Sequence, residues 1–150
     1  MKISVASDHA GYAVKEAVKA HLLEAGHEVV DFGADSAEST DYPDHATPAA
    51  RAVASGEVEM GVLVCGSGQG MVMTANKVHG VRAALAWEPE IAKLSRNHND
   101  ANVLALPGRF ISEEGALEIV DAWLQAEFEG GRHVPRVRKM MKAEEEPWQI

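Results

Sequence analysis

The sequence predicts an α/β protein: a doubly wound, parallel sheet of five strands covered by helices on both faces. Three observations carry this. Five short runs (2–7, 27–32, 62–64, 82–86 and 102–106) are nearly continuous in apolar and β-branched residues, as strands buried on both faces are. Segments with apolar residues at helical spacing lie between them. Turn-forming Gly, Asp and Asn residues stand where the runs end, so strand and helix alternate as in βαβ units. A length of 150 residues suits one domain over 1–150 that buries roughly 70% of its unfolded surface. No repeat or linker interrupts it.

In order, the run 2–7 (KISVAS) empties into Asp8-His9-Ala10-Gly11. Val14, Val18, His21, Leu22 and Ala25 then follow a helical period that Gly26 ends. The second run is HEVVDF, and 33–44 is polar and turn-rich. The next helix reaches Ser55-Gly56 and has two possible starts, at Pro43 or at Pro48 with Thr47 as cap. A proline at 48 in a helix begun at 43 is expected to be tolerable only in about the first turn. The run 62–64 opens onto Cys65 and a loop with glycine at alternate positions, then a helical run. After RAALA come a helix over 88–97 and the strand NVLAL. Ser112 caps a helix whose core face is Ile119, Val120, Trp123 and Leu124. Gly130-Gly131 breaks the chain before a basic stretch and a last short helix, and the acidic ending AEEEPWQI is expected to be loosely held, with Trp148 as an anchor on a neighbour.

Composition excludes several functions. Fourteen basic against 23 acidic residues leave a net charge of −9, which opposes general binding to nucleic acid or membrane surfaces. One cysteine forms no internal disulfide. The N-terminus meets Asp8 and His9 too early for a signal peptide, and no apolar run nears the ~20 residues of a membrane span. A cytoplasmic protein is expected.

In a doubly wound sheet of Rossmann or flavodoxin type, ligands bind beyond the C-terminal strand ends, where strand order reverses. Asp8-His9, Cys65–Gly70 and Arg109 all fall on that edge. A strand that ends in a glycine-rich turn and a helix start presents main-chain N–H groups to an oxyanion. A proton acceptor beside such donors is what an enolate-like intermediate requires. Cys65 is equally the small buried hydrophobe that a lone cysteine more often is. Asp8 and His9 read as an acid/base pair or as helix-start residues. His98 and Asn99 lie in SRNHND, a polar knot just past a helix, and topology starts them at the opposite edge from Cys65. Seven histidines invite a metal, yet no HxxxH pair falls on a helix and there is no second cysteine, so no metal is expected. GGRHVPRVRK is either a solvated helix start or a phosphate clamp, since arginine binds phosphate through two parallel hydrogen bonds.

SDHAG, TDYPD, CGSGQG with TANK, SRNHNDANVLA and EGGRH resemble, in the same order and over nearly the whole length, the ribose-5-phosphate isomerase type B family, which includes galactose-6-phosphate isomerase subunits. The resemblance implies isomerisation of a phosphorylated aldose to a ketose without metal or organic cofactor. It implies Cys65 as the base between carbons 1 and 2, the amides of Gly66, Gly68 and Gly70 as holders of an enediolate, and Ser67 as shuttle between its oxygens. His98, with Asp8 opposite, would open the sugar ring, and Asn99 and Tyr42 would bind the sugar. His9, Arg109, Arg132, His133 and Arg136 would grip the phosphate or nearby hydroxyls. It further implies a homodimer or dimer of dimers whose site is completed by the partner's C-terminal region, residues 130–150. Another subgroup of the family carries glutamate where this chain has Met71 and lacks the cysteine, which leaves the proton transfer here to Cys65. Rival functions are a dinucleotide-binding module, with Glu88 as ribose acid but glycine one place early at 70; a cysteine hydrolase; and a sugar-phosphate sensor without turnover.

Overall fold

In the computed structural model, which describes residues 1–145, strands β1 (Lys2–Ser7), β2 (Glu28–Asp31), β3 (Met60–Cys65), β4 (Ala83–Leu85) and β5 (Val103–Pro107) form one parallel sheet in the order β2-β1-β3-β5-β4. This is the expected flavodoxin-like sandwich with the last two strands exchanged, so β5 lies inside and β4 forms an edge. Helices α1 (Tyr12–Glu24), α4 (Pro89–Asn99) and α5 (Glu113–Gln125) cover one face; α2 (Tyr42–Ala54) and α3 (Gln69–Asn76) cover the other. Because β1 leads outward to β2 while β3 leads the other way to β4, the two connections part at the β1/β3 boundary. That parting opens the crevice where ligands bind in such folds.

Alternation along β3 shows how both faces are filled. Val62 and Val64 enter the core under α1, α4 and α5, with Leu104, Leu106 and the wholly buried Trp123; Leu63 and Cys65 enter the core under α2 and α3, with Met71 and Ala75. At the β1/β3 boundary the backbones nearly touch. A Cβ on Gly11 would fall 2.3 Å from the Val64 carbonyl oxygen, so only glycine lets α1 start this close to β3.

The elements depart from expectation in four places. Strands β2 and β4 are shorter than the apolar runs that announced them. Helix α2 begins at Tyr42 and runs straight through Pro48, beyond the first turn to which a proline was expected to be confined. Pro48 withholds an N–H from the Asp44 carbonyl, but Asp44 is exposed and water can serve it, while Ala46, Ala49, Ala50 and Val53 press the helix onto the sheet. Helix α4 reaches Asn99, so His98 and Asn99 form its last turn rather than a knot beyond it, and Asp100 closes it in the left-handed conformation with φ 50°. The C-terminal segment is held as far as it is described: after α6 (His133–Lys142), the Glu144 carboxylate accepts a hydrogen bond of 2.9 Å from the Gly80 N–H. Trp148 lies outside the described residues. Ser112 caps α5 as expected, accepting from the Gly115 N–H at 3.0 Å. Among the described residues no helix is long and apolar enough to cross a membrane.

An ion pair between a buried lysine and an aspartate nearer the surface ties the end of β2 to α1. The side chain of Lys15 is 1% exposed, and its Nζ donates to both Asp31 carboxylate oxygens at 3.0 and 3.1 Å and to the Ala34 carbonyl. Burial alone would raise the Asp31 carboxyl, but Lys19, the Gly33 N–H and Lys15 outweigh it and hold the group below the ordinary carboxylate range. A depressed native pKa contributes stability above the unfolded value and loses it as pH falls through the native one. Asp31→Asn is therefore expected to cost roughly 2 kcal/mol at neutral pH. Urea melts of the two proteins should converge as pH drops below the ordinary carboxylate range, and a gap that persists there would mean the charge of Asp31 is not what stabilises.

Candidate active site

Main-chain hydrogen bonds gather three strand ends into one floor. The Asp8 N–H donates to the Val64 carbonyl (3.3 Å), the Gly108 N–H to Cys65 (2.8 Å) and the Arg109 N–H to Gly66 (3.0 Å). The loop after β1, the glycine loop after β3 and Arg109 after β5 thus share the C-terminal edge of the sheet, as topology predicted. Cys65 sits in this floor, 4% exposed.

The glycine loop is shaped by contact on every side. Gly68 caps α3 with φ 75°, and a Cβ there would lie 2.4 Å from Leu85 Cδ1 and 3.2 Å from the Leu106 backbone. A Cβ on Gly66 would meet the Arg109 guanidinium at 3.2 Å, and one on Gly70 would meet the Tyr42 ring at 2.7 Å. Arg109 and Tyr42 therefore lie flat against the loop from opposite ends. The first turn of α3 leaves the N–H groups of Gly70 and Met71 without a partner among the described residues, since the first helical bond runs from Val72 to Gly68. Exposed Ser67 accepts from the Gln69 N–H at 3.4 Å. Asp8, 8% exposed, uses one carboxylate oxygen to accept from the Gly11 N–H at 3.0 Å. His9 Nδ1 lies 3.2 Å from the Thr40 nitrogen. Asp8, His9, Tyr42, Cys65, Ser67, the loop and Arg109 form one cluster. Met71, by contrast, is wholly buried.

His98, Asn99, Arg132, His133 and Arg136 form a second cluster at the other edge. Helix α4 descends from the C-terminal end of β4 and finishes just before β5 begins, where Val103 pairs with Gly61 and Ala83. The four residue rises of β5 then separate this cluster from Cys65 by roughly 13 Å of sheet height. Within one chain His98 does not face Asp8 or Cys65. The α4 end is braced: Arg96 Nη1 donates to the Asp100 carboxylate (2.9 Å) and the Ala101 carbonyl (2.7 Å), and Arg82 Nε to the Asp100 carbonyl (2.7 Å). The Glu129 N–H donates to the Asn97 carbonyl at 3.0 Å, bringing His133 beneath His98 with ring centroids 4.4 Å apart and planes 14° apart. Burial, then the positive charges of His98, Arg132 and Arg136, push His133 below the ordinary imidazole range, against the pull of Glu129. At 5% exposure His133 is placed to support His98 more than to reach a ligand itself. Arg132 and Arg136 are exposed, four residues apart at the start of α6.

The tertiary fold also brings His98, Glu129 and His133 within 4.8 Å of one another, a grouping no sequence spacing announced. Parallel imidazoles point their lone pairs side by side rather than at one ion, and the 3.7 Å contact of His133 Nε2 with Glu129 is a charge pair only when His133 is protonated. A cavity of about 590 Å³ lies away from Cys65, along the β4 edge, lined by Val81, Arg82, Ala84, Asn99, Met140 and Met141 among others. It adjoins the second cluster through Asn99.

Residues 3–140 match the family described as Ribose/Galactose Isomerase. The chain belongs to this family. Among ribose/galactose isomerase relatives, ribose-5-phosphate isomerase B of Escherichia coli is 50% identical over 144 residues, 96% of this chain and 97% of that protein. The structure of Clostridium thermocellum ribose-5-phosphate isomerase B superposes with a TM-score of 0.95 at 49% identity, covering 97% and 98% of the two chains. That of ribose-5-phosphate isomerase B from Mycoplasma genitalium, with bound ribulose-5-phosphate, gives 0.93 at 42% identity, covering 97% of each.

Sequence reasoning passed over Lys15, Thr40, His45, Arg82 and Asp100, which hold the two clusters in shape. Lys15 had a signal, since it lies among Val14, Val18 and Leu22 on the buried face of α1.

Crowding at Gly68 is separable from its left-handed backbone. Gly26 has φ 89° with nothing within 4 Å of a Cβ. Gly26→Ala should cost about 1–2 kcal/mol, and Gly68→Ala about 1–3 kcal/mol more through overpacking. Equal losses in denaturant melts would mean that the loop yields.

Proposed function

We propose that this chain is an aldose–ketose isomerase that interconverts ribose 5-phosphate and ribulose 5-phosphate, acting in the cytoplasm. The observation that carries the reading is a cysteine ending β3 beside a helix start whose Gly70 and Met71 N–H groups have no partner among the described residues, at the switch crevice, in a member of the ribose/galactose isomerase family. Nothing in the glycine loop favours the rival dinucleotide site, because the third glycine that such a site needs is replaced by buried Met71.

In this reading the substrate's ring opens first. His98 protonates the ring oxygen as Asp8 takes the proton of the C1 hydroxyl, and the bond from C1 to the ring oxygen breaks. Cys65, as thiolate, takes the proton from C2, and the electrons settle into a cis-enediolate with its charge on O1. The N–H groups of Gly70 and Met71 hold that charge where it develops, which is worth most in a dry site. Ser67 passes the hydroxyl proton from O2 to O1, the thiol returns its proton to C1, and the ketose is formed. His9, Arg109, Arg132 and Arg136 take the phosphate and neighbouring hydroxyls, with Tyr42 and Asn99 along the sugar.

His98 and Cys65 occupy opposite edges, so the reaction requires two copies, each lending its α4–α6 corner to the other's glycine loop. A two-fold arrangement satisfies both sites at once. Around the glycine loop, Tyr42 (40%), Met73 (59%), Trp87 (54%) and Phe110 (76%) are exposed, apolar area that a second copy would cover. Helix α6 is the arm that reaches the partner in a dimer or dimer of dimers.

Cys65→Ala should abolish isomerisation and solvent-deuterium exchange while leaving sugar-phosphate binding nearly intact; full turnover by the variant would remove Cys65 from the chemistry. Co-expressed with His98→Ala, which is also inactive alone, it should recover about a quarter of wild-type activity, because half the random dimers each keep one intact site. No recovery would place the whole site within one chain. The family's description as Ribose/Galactose Isomerase favours a second reading, a six-carbon substrate. Assays with ribose 5-, allose 6- and galactose 6-phosphate in the presence of chelator decide between them.

A further inference from the structure

His45, on the second turn of α2, is claimed by neither cluster, yet it makes two side-chain hydrogen bonds toward the first. Its Nδ1 lies 3.0 Å from the Phe32 carbonyl oxygen and its Nε2 3.0 Å from Thr40 Oγ1. A carbonyl only accepts, so Nδ1 carries a proton; in the neutral ring Nε2 is then a lone pair and the Thr40 hydroxyl donates to it. Thr40 in turn meets His9. Its peptide N–H donates to His9 Nδ1 at 3.2 Å, and its carbonyl oxygen lies 3.3 Å from the same nitrogen. The two contacts need opposite states of Nδ1; the peptide N–H cannot turn away and is the nearer of the two, so in the neutral ring His9 leaves Nδ1 bare and keeps its proton on Nε2. The two imidazoles thus hold opposite tautomers, linked through one threonine. The ring of His45 also fills the space over Gly33, where a Cβ would fall 2.7 Å from Nδ1, so it pins the polar segment that carries Thr40.

We propose that His45 is a positioning residue: through Thr40 it fixes His9 as the Nε2–H tautomer, so that His9 offers the sugar phosphate a donor. The second half of this statement rests on the isomerase reading; the tautomer assignment does not. A donor of fixed identity suits oxygens that carry negative charge, such as those of a phosphate, because no rearrangement is needed when they arrive.

Nitrogen NMR of the ligand-free, full-length protein at pH about 8, above the ordinary imidazole range, tests the assignment without any variant. His9 should show a protonated Nε2 and a bare Nδ1, and His45 the reverse, the signals being assigned by their loss in His9→Gln and His45→Phe. The opposite pattern at either ring overturns the proposal. His45→Phe, which keeps bulk over Gly33, and Thr40→Val, which keeps the peptide N–H, should each turn the His9 signals into an average of both tautomers. Each should raise the Michaelis constant for ribose 5-phosphate by about two- to tenfold, the range for one lost hydrogen bond, with kcat little changed. His45→Gln, whose amide spaces a donor and an acceptor across one carbon as imidazole does, should restore both readouts. Unchanged His9 signals in both Phe and Val variants overturn the proposal even if activity falls. Shifted signals with an unmoved Michaelis constant uphold the tautomer link and overturn the place of His9 in the substrate grip. Absence of turnover in the wild-type protein would count against the isomerase reading while the NMR still decides the link.

Discussion

Everything in this molecule is referred to the contact between β1 and β3. There the backbones come close enough that Gly11 abuts the Val64 carbonyl and Asp8 hydrogen-bonds to it. The contact sets the height at which α1 and the glycine loop leave the sheet, and so decides that a carboxylate, an imidazole, a thiol and a row of main-chain donors open into one crevice. Side chains could not substitute for this. At Gly11, Gly68 and Gly70 the space a Cβ needs is taken by main chain, a packed leucine or a tyrosine ring. The site is therefore built by what the chain omits as much as by what it carries.

That dependence explains what could be read in advance. Strands buried on both faces leave long apolar runs, and glycine-rich turns leave glycines, so the sheet, the helices and the crevice containing Asp8, Cys65 and Arg109 were legible. Topology also placed His98 at the far edge. It did not reveal that α4 continues through His98 to Asn99, because the continuation depends on Arg96 and Arg82 bracing Asp100, two contacts 4 and 18 residues apart in sequence. Pro48 misled in the same way. Local propensity argues against an interior proline, and only the alanine face packed on the sheet overrides it. The stacked His98 and His133 were invisible for a simpler reason, since a loop and a helix end meet there through one main-chain bond, from Glu129 to Asn97.

The two clusters differ in chemistry. The crevice cluster supplies main-chain donors and a thiol, groups that a single sheet edge can hold rigidly. The α4–α6 corner carries Arg132, Arg136 and two stacked imidazoles, where burial first and the neighbouring positive charges second hold His133 below the ordinary imidazole range. Gathering all of these in one crevice of a single chain would place Arg109, Arg132 and Arg136 together before any anion arrived to compensate them. Held at opposite edges, the cationic groups of one chain are kept apart.

Order in the polar segment between β2 and α2 has to come from outside it, because 33–41 contains no regular structure. Three ties supply it. Lys15, buried, anchors its start through Asp31 and the Ala34 carbonyl; Ser7 exchanges main-chain bonds with Gly33 and Ala34, its N–H donating at 2.7 Å and its carbonyl accepting at 2.8 Å; His45 grips its far end at Thr40. A buried ammonium left unpaired is costly, so Lys15 holds in place the two acceptors it reaches, the Asp31 carboxylate and the Ala34 carbonyl. Here the arrangement so specified ends at His9 Nδ1, within the crevice. A lysine in the core of α1 and a histidine on α2, neither near the thiol in sequence, are what allow a loop without secondary structure to present an imidazole in a single state.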